Sequence, residues 1–252
     1  MIQVIGWKLF LHSVRMVQRN IPQLMRIFLI PSLVVIGIAY LVMWDLFDGS
    51  ALQYPISDSD VVSGFIWRVF ALWLVAGVVA GWTVVVWHRY VLLEERPDGW
   101  VPTFHMTEVI QYLLRLLQLV VIGAAIYAMV LFVAAVVFSA AGNFAIFLII
   151  AAAALIAVSI YRLALILPAA AVGKPIGLGE SLQFTEGAFG ALFVLSACLV
   201  GLQLTAELVF WLLADAVVIV MILNVVFALF VAILNISVLT TLYGYYVEKR
   251  AI

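Results

Sequence analysis

The chain has 252 residues, 68% of them hydrophobic and 10% charged, with a net charge of −1 and a mean hydropathy of +1.29. A soluble domain is nearer half apolar and a quarter charged, so a water-soluble fold is excluded and most side chains must face lipid. Near-zero charge gives no electrostatic basis for nucleic-acid binding, and the single cysteine, Cys198, excludes intramolecular disulfides and cysteine-based metal frameworks.

Residues 4–21 read as an amphipathic helix. Lys8, His12, Arg15 and Arg19 recur at intervals of four, three and four, while Trp7, Phe10, Leu11, Val14, Val17 and Ile21 fill the other side. A basic face opposite a Trp/Phe/Leu face is the pattern of a helix lying in the membrane surface, where each cation holds anionic headgroups by about 1 kcal/mol. Its simplest role is an anchor for the first span; its functional role would be a docking surface for lipid or an acidic partner. No small-x-small cleavage site follows the first apolar run closely, so that run is expected to stay as a span.

About 20 apolar residues cross the hydrocarbon core. On that rule six spans follow, at 24–47, 62–92, 108–139, 143–171, 187–213 and 216–248, within one membrane domain covering 1–252. The fold class is therefore all-α integral membrane, with amphipathic cytoplasmic surface helices. Breakers mark the turns: Asp48-Gly49-Ser50 with Pro55, Pro97-Asp98-Gly99, Ala141-Gly142-Asn143 and Gly173-Lys174-Pro175. Ala214-Asp215-Ala216 alone divides the last two spans.

Lys and Arg fix the direction. Lys8, Arg15, Arg19 and Arg26 at the start, Arg89, Arg96 and Arg115 around the second loop, Arg162 and Lys174 around the fourth, and Lys249 and Arg250 at the end all fall on one side. Asp45, Asp48, Asp58, Asp60 and Asp215 mark the other, joined only by Arg68. Both termini are therefore expected in the cytoplasm. On this topology His88-Arg89 is where span two meets the inner headgroups. Lys8, His12, Arg15, Arg19, His88, Arg89, Arg162 and Lys174 are the candidate lipid- or partner-binding residues. Trp73 and Trp82 fit neither interface and are expected to pack within their span.

Spans two and four end alike. Arg89 and Arg162 are each followed by aliphatics and then a basic-Pro-x-Gly turn, Arg96 to Gly99 and Lys174 to Gly177. An amphipathic piece follows each turn, Phe104 to Glu108 and Phe184 to Glu186. Together with the N-terminal helix this suggests three parallel units of surface helix and hairpin.

Inside the bilayer, charges are costly unless paired. Arg68 and Glu207 lie at similar depth from the outer side and are expected to form an ion pair; a proton or substrate relay is the functional alternative. Asn224 and Asn235 share a face of span six around Ala228, and Gly77-x-x-x-Gly81 marks close helix packing. No nucleophile elbow, phosphate loop or dinucleotide fingerprint occurs. His12, His88 and His105, with Glu94, Glu95 and Glu108, lack regular ligand spacing, so no metal, cofactor or catalytic residue is assigned.

The run Trp87-His88-Arg89-Tyr90-Val91-Leu92-Leu93-x-Glu95-Arg96-Pro97 resembles a set of uncharacterised six-span inner-membrane proteins of alphaproteobacteria. The segment Arg162 to Gly187, with Leu167-Pro168-Ala169, Glu180-Ser181 and Thr185-x-Gly187, strengthens it. That segment resembles, more distantly, YciC-like proteins and the membrane domain fused to some glycerophosphodiester phosphodiesterases. The resemblance implies a multi-pass bacterial inner-membrane protein and no particular activity, since this chain lacks the catalytic barrel of those enzymes. The expected function is a non-enzymatic accessory, assembly or membrane-organising factor that binds lipid headgroups or a membrane-protein complex. The alternatives are a small-molecule transporter and, third, a lipid-acting membrane enzyme.

Overall fold

A computed structural model describes residues 2–44, 59–97, 99–141 and 144–251. Among them the chain is mostly helical and has no strands. The turns at Asp48-Gly49-Ser50 with Pro55 and at Gly142-Asn143, the acidic Asp45, Asp48 and Asp58, and Asp98 lie outside the described residues, as does the side chain of Asp60.

Nine helices are described: α1 (Ile2–Arg19), α2 (Ile21–Val42), α3 (Ser59–Leu93), α4 (Met106–Ala141), α5 (Phe144–Leu163), α6 (Ile166–Ala171), α7 (Leu178–Phe184), α8 (Phe189–Leu212) and α9 (Val217–Tyr246). Six stretches are long and apolar enough to cross a membrane: Ile21–Val42, Ser63–Leu93, Met106–Phe138, Ala152–Ala171, Phe189–Leu212 and Val217–Tyr246. They coincide with the six expected spans, and the protein is an all-α membrane protein. The hairpin at Ala214-Asp215-Ala216 is real. α8 ends at Leu212, and Ala216 N–H donates back to Leu213 O at 2.8 Å before α9 begins.

Span four departs from expectation, because it is two helices rather than one. Pro168 has no N–H for the carbonyl of Ala164, and its ring crowds that carbonyl. Leu167 N–H bonds Ala164 O instead, at 3.0 Å. The carbonyls of Arg162 and Leu163 then need new donors, and both accept from Ser181 Oγ on α7. A proline in the span thus creates a need that a serine 13 positions later meets.

The chain forms two compact units, residues 1–20 with 114–252, and residues 21–113. In the first, α1 packs on α8 and α9, α5 on α7 and α8, and α6 on α9. α1 stops at Asn20, whose Nδ2 donates to Met16 O at 2.8 Å, and Pro22 sits in the opening turn of α2, where a missing N–H costs little. After α6 the chain turns through Gly173 at φ 73, with Lys174 N–H donating to Ala169 O at 2.9 Å. Gly177 N–H donates to Glu180 Oε2 at 2.6 Å to open α7, and Gly187 at φ 72 separates α7 from α8.

In the second unit α2 packs on α3. Gly81 lets Leu113 approach, since a Cβ there would meet Leu113 Cδ2 at 2.7 Å, whereas Gly77 faces open space. Only the second glycine of that motif is used for packing. Trp82 packs, but on the stretch before α4 rather than within its span, donating from Nε1 to Thr103 O at 3.2 Å and meeting Phe104. Trp73 does not, being 74% exposed. The helix–hairpin repeat is also incomplete: α1 and α7 are separate helices ahead of their spans, but residues 99–105 are non-helical and the chain enters α4 directly at Met106.

Candidate functional site

α1 has three faces, not two. At about 100° per residue, Gly6, Leu9, Ser13 and Val17 share one sector, and all four are buried. They form the docking face. A Cβ on Gly6 would stand 2.3 Å from Ala191 O on α8, so the two backbones touch there. Ser13 Oγ donates to Thr241 Oγ1 on α9 at 3.0 Å, whose own proton goes to Ser237 O at 2.9 Å. Val17, expected on the lipid face, belongs to this sector instead.

The second face holds Trp7, Leu11, Val14 and Phe10. Trp7 is 49% exposed and stacks on Phe10 with ring centroids 5.7 Å apart. The third holds Lys8, Arg15 and Arg19, all exposed, with His12 half-buried at its edge. Burial first, then the charges of Arg19 and Arg15, hold the His12 imidazole below its ordinary value. Thus α1 is fastened sideways to α8 and α9 while keeping an apolar and a basic face open. The docking face was missed because its residues are small or of mixed polarity, and hydrophobic periodicity does not register them. Its only sequence trace is Gly6, Leu9, Ser13 and Val17 at helical spacing.

The remaining candidate cations divide by what they touch. Lys174 is exposed. Arg89 is tied into ion pairs. Its Nε and Nη2 donate to Glu95 Oε2 and Oε1, each at 2.7 Å, and Nη1 lies 3.6 Å from Glu108 Oε1. This bidentate pair ties the end of α3 to the opening of α4, with Glu94 at φ 58 turning the chain between them. His105 Nε2 lies 3.8 Å from Glu95 Oε2. His88, expected at the headgroups, is instead fully buried beside Tyr112, ring centroids 5.9 Å apart. The reason is helical phase: α3 runs on to Leu93, and His88 shares its face with buried Val84 and Leu92.

Arg162 turns onto α7. Its Nε donates to Thr185 Oγ1 at 3.1 Å and its Nη2 to Leu182 O at 3.0 Å. With Ser181 capping the Arg162 carbonyl, residue 162 holds α7 by both its backbone and its side chain. The segment that carried the sequence resemblance, Arg162 to Gly187, is therefore a structural clamp.

Within the spans, Arg68 Nη1 donates to Val42 O at 3.3 Å. Glu207, in the other unit, lines a cavity of about 310 Å³ with Gln203, Phe210, Asn224, Phe227, Ala228, Val231 and Ala232. A second cavity, of about 190 Å³, shares Gln203 and Val231 and adds Tyr161, Ser196 and Asn235 among its walls. Tyr161 OH donates to Asn235 Oδ1 at 3.0 Å, joining α5 to α9. The two asparagines of span six therefore differ: Asn235 fastens helices, and Asn224 faces a cavity.

Among the described residues no group of three or more His, Cys, Asp or Glu side chains is placed to hold a metal ion. The chain matches no family model, no curated protein and no solved structure.

Proposed function

We propose that this chain is a non-enzymatic protein of the bacterial inner membrane, with both termini in the cytoplasm, that gathers anionic lipid headgroups along α1. It would act there as an accessory or membrane-organising factor and offer the same stripe to an acidic membrane-protein partner. One observation carries the reading. The docking face of α1 is separate from its basic face, so Lys8, Arg15 and Arg19 stay exposed while the helix is held on α8 and α9. A helix serving only as an anchor has no need of that division. Its exposed Trp7 and half-buried Leu11 supply the apolar contact that such a surface helix needs.

Native mass spectrometry of the purified chain titrated with phosphatidylglycerol or phosphatidylcholine tests this. At about 1 kcal/mol per cation, changing Lys8, Arg15 and Arg19 together to Gln lowers phosphatidylglycerol retention tenfold or more and leaves phosphatidylcholine unchanged. Equal retention of the two lipids by the wild-type chain, or no loss in the triple variant, refutes it. A second reading, a small-molecule permease, draws support from the polar cavities among α5, α8 and α9. The lipid-acting enzyme draws less, because His88 is buried and Arg89 is held by Glu95.

A further inference from the structure

We infer that the groove between α8 and α9 is an intramembrane binding site for a small organic ammonium ion. Glu207 lies five positions from the end of α8, and Asn224 seven from the start of α9. At 1.5 Å per residue both stand roughly 7–10 Å inside the spans. A carboxylate and a carboxamide at that depth cost several kcal/mol unless something answers them. Among the described residues neither side chain, nor that of Gln203, makes a hydrogen bond.

Ser196 supplies a second and independent sign. It is 8% exposed, it lines the adjoining cavity, and its Oγ has no partner. A buried hydroxyl on a helix ordinarily bonds back to a carbonyl of its own helix, as buried Thr241 does to Ser237 O at 2.9 Å. Ser196 instead faces the cavity with its donor unspent. The two cavities meet at Gln203 and Val231, so Ser196, Gln203 and Glu207 follow one line down α8. The eleven positions from Ser196 to Glu207 span about 16 Å.

The lining sets the class of ligand. No Lys, Arg or His borders either cavity, and the acceptors at the Glu207 end are one carboxylate and two carboxamide oxygens. An anion would find no charge to meet it. An ammonium group brings both the missing charge and the missing donors. Phe210 and Phe227, edge to face at 5.8 Å, border the same cavity and offer ring faces to a cation. The apolar remainder, Val231, Ala228 and Ala232, accepts a hydrocarbon body of a size set by about 310 Å³. Uncharged donors satisfy the carboxamides but leave the carboxylate unanswered, so a protonated amine on a short apolar body fits best. The inference is independent of the headgroup reading, because the cavity is lined by α8 and α9 side chains and by none from α1.

Equilibrium binding to the full chain in nanodiscs tests it, with tritiated phenethylammonium as the probe and 3-phenylpropionate as the anion of matching body. The wild-type chain binds the cation saturably and the anion not at all. Glu207→Gln weakens the cation at least tenfold, and Asn224→Ala about threefold. Asn224 is exposed and makes no hydrogen bond, so its variant folds and carries the test if Glu207→Gln does not. Absence of saturable binding up to millimolar cation, equal binding of the anion, or unchanged affinity in both variants overturns the proposal. So does recovery by Arg68→Glu/Glu207→Arg of thermal stability lost in Arg68→Glu, since the carboxylate would then already have its cation.

Discussion

Replacing Gly6 by alanine sets a Cβ 2.3 Å from Ala191 O and 2.9 Å from Val194 Cβ. Carbon–oxygen contacts of this kind settle at about 3.3–3.6 Å, so the shortfall is roughly 1 Å. The obstructing atom is a backbone carbonyl of α8 and cannot rotate aside, so α1 must lift. A lift of that size stretches the 3.0 Å bond from Ser13 Oγ to Thr241 Oγ1 out of range. Overpacking costs about 1–3 kcal/mol and the lost hydrogen bond about 1 more. In a chain of this length the melting temperature falls by about 5–15 °C. The assay pairs thermal unfolding with a cross-link, Ser13→Cys/Thr241→Cys in a Cys198→Ala background, where the two sulfurs lie close enough to join. Gly6→Ala slows that cross-link and lowers the melting temperature. A melting temperature within 1 °C of the parent, with cross-linking unchanged, would show that α1 does not dock through this face.

Ser181→Ala removes the hydroxyl that serves the Arg162 and Leu163 carbonyls, at a cost of about 1–3 kcal/mol. Protection of α7 amides in hydrogen exchange falls with it, while Glu180→Ala, which loses only the bond to Gly177 N–H, costs about 1 kcal/mol or less. Glu95→Gln weakens the bidentate pair with Arg89, but Glu95 is 42% exposed and the loss stays within about 1 kcal/mol of stability; a larger loss in chemical denaturation would contradict a surface tie. His12 is held below its ordinary value of 6.5 by burial and by Arg19 and Arg15, so the docked state favours the neutral ring. Its contribution is complete above pH 6.5 and is lost as pH falls through the lowered value. His12→Gln flattens the melting curve in that acid window, and parallel curves for the two proteins would refute the assignment.

The spans were legible because a lipid solvent leaves a coarse mark, about 20 apolar residues bounded by charges, and all six appear. The kink in span four was legible in principle from Pro168, but the partner that makes it tolerable, Ser181, lies beyond a turn and has no periodic signature. Two site residues moved for a simple reason. His88 and Arg89 were placed by distance from the loop, whereas helical phase sends one inward to Tyr112 and the other across to Glu95. The basic stripe of α1 was readable because cations at four-three-four spacing have one solution on a helix. The docking face was not, because Gly6 and Ser13 act through closeness and a hydroxyl, and neither registers as hydrophobic. Ser196 and Gln203 escaped for a related reason: each is a single uncharged polar residue in an apolar run, and only the fold places them beside Glu207.

The central claim is that lipid surrounds the six spans while the cations stay on the cytoplasmic side with both termini. It is tested most directly by single cysteines placed at Ser50 and at Lys249 in a Cys198→Ala chain, labelled with a membrane-impermeant maleimide on intact spheroplasts. The account predicts labelling at position 50 before lysis and at position 249 only after it. Labelling at 249 on intact spheroplasts, with position 50 protected until lysis, would contradict it.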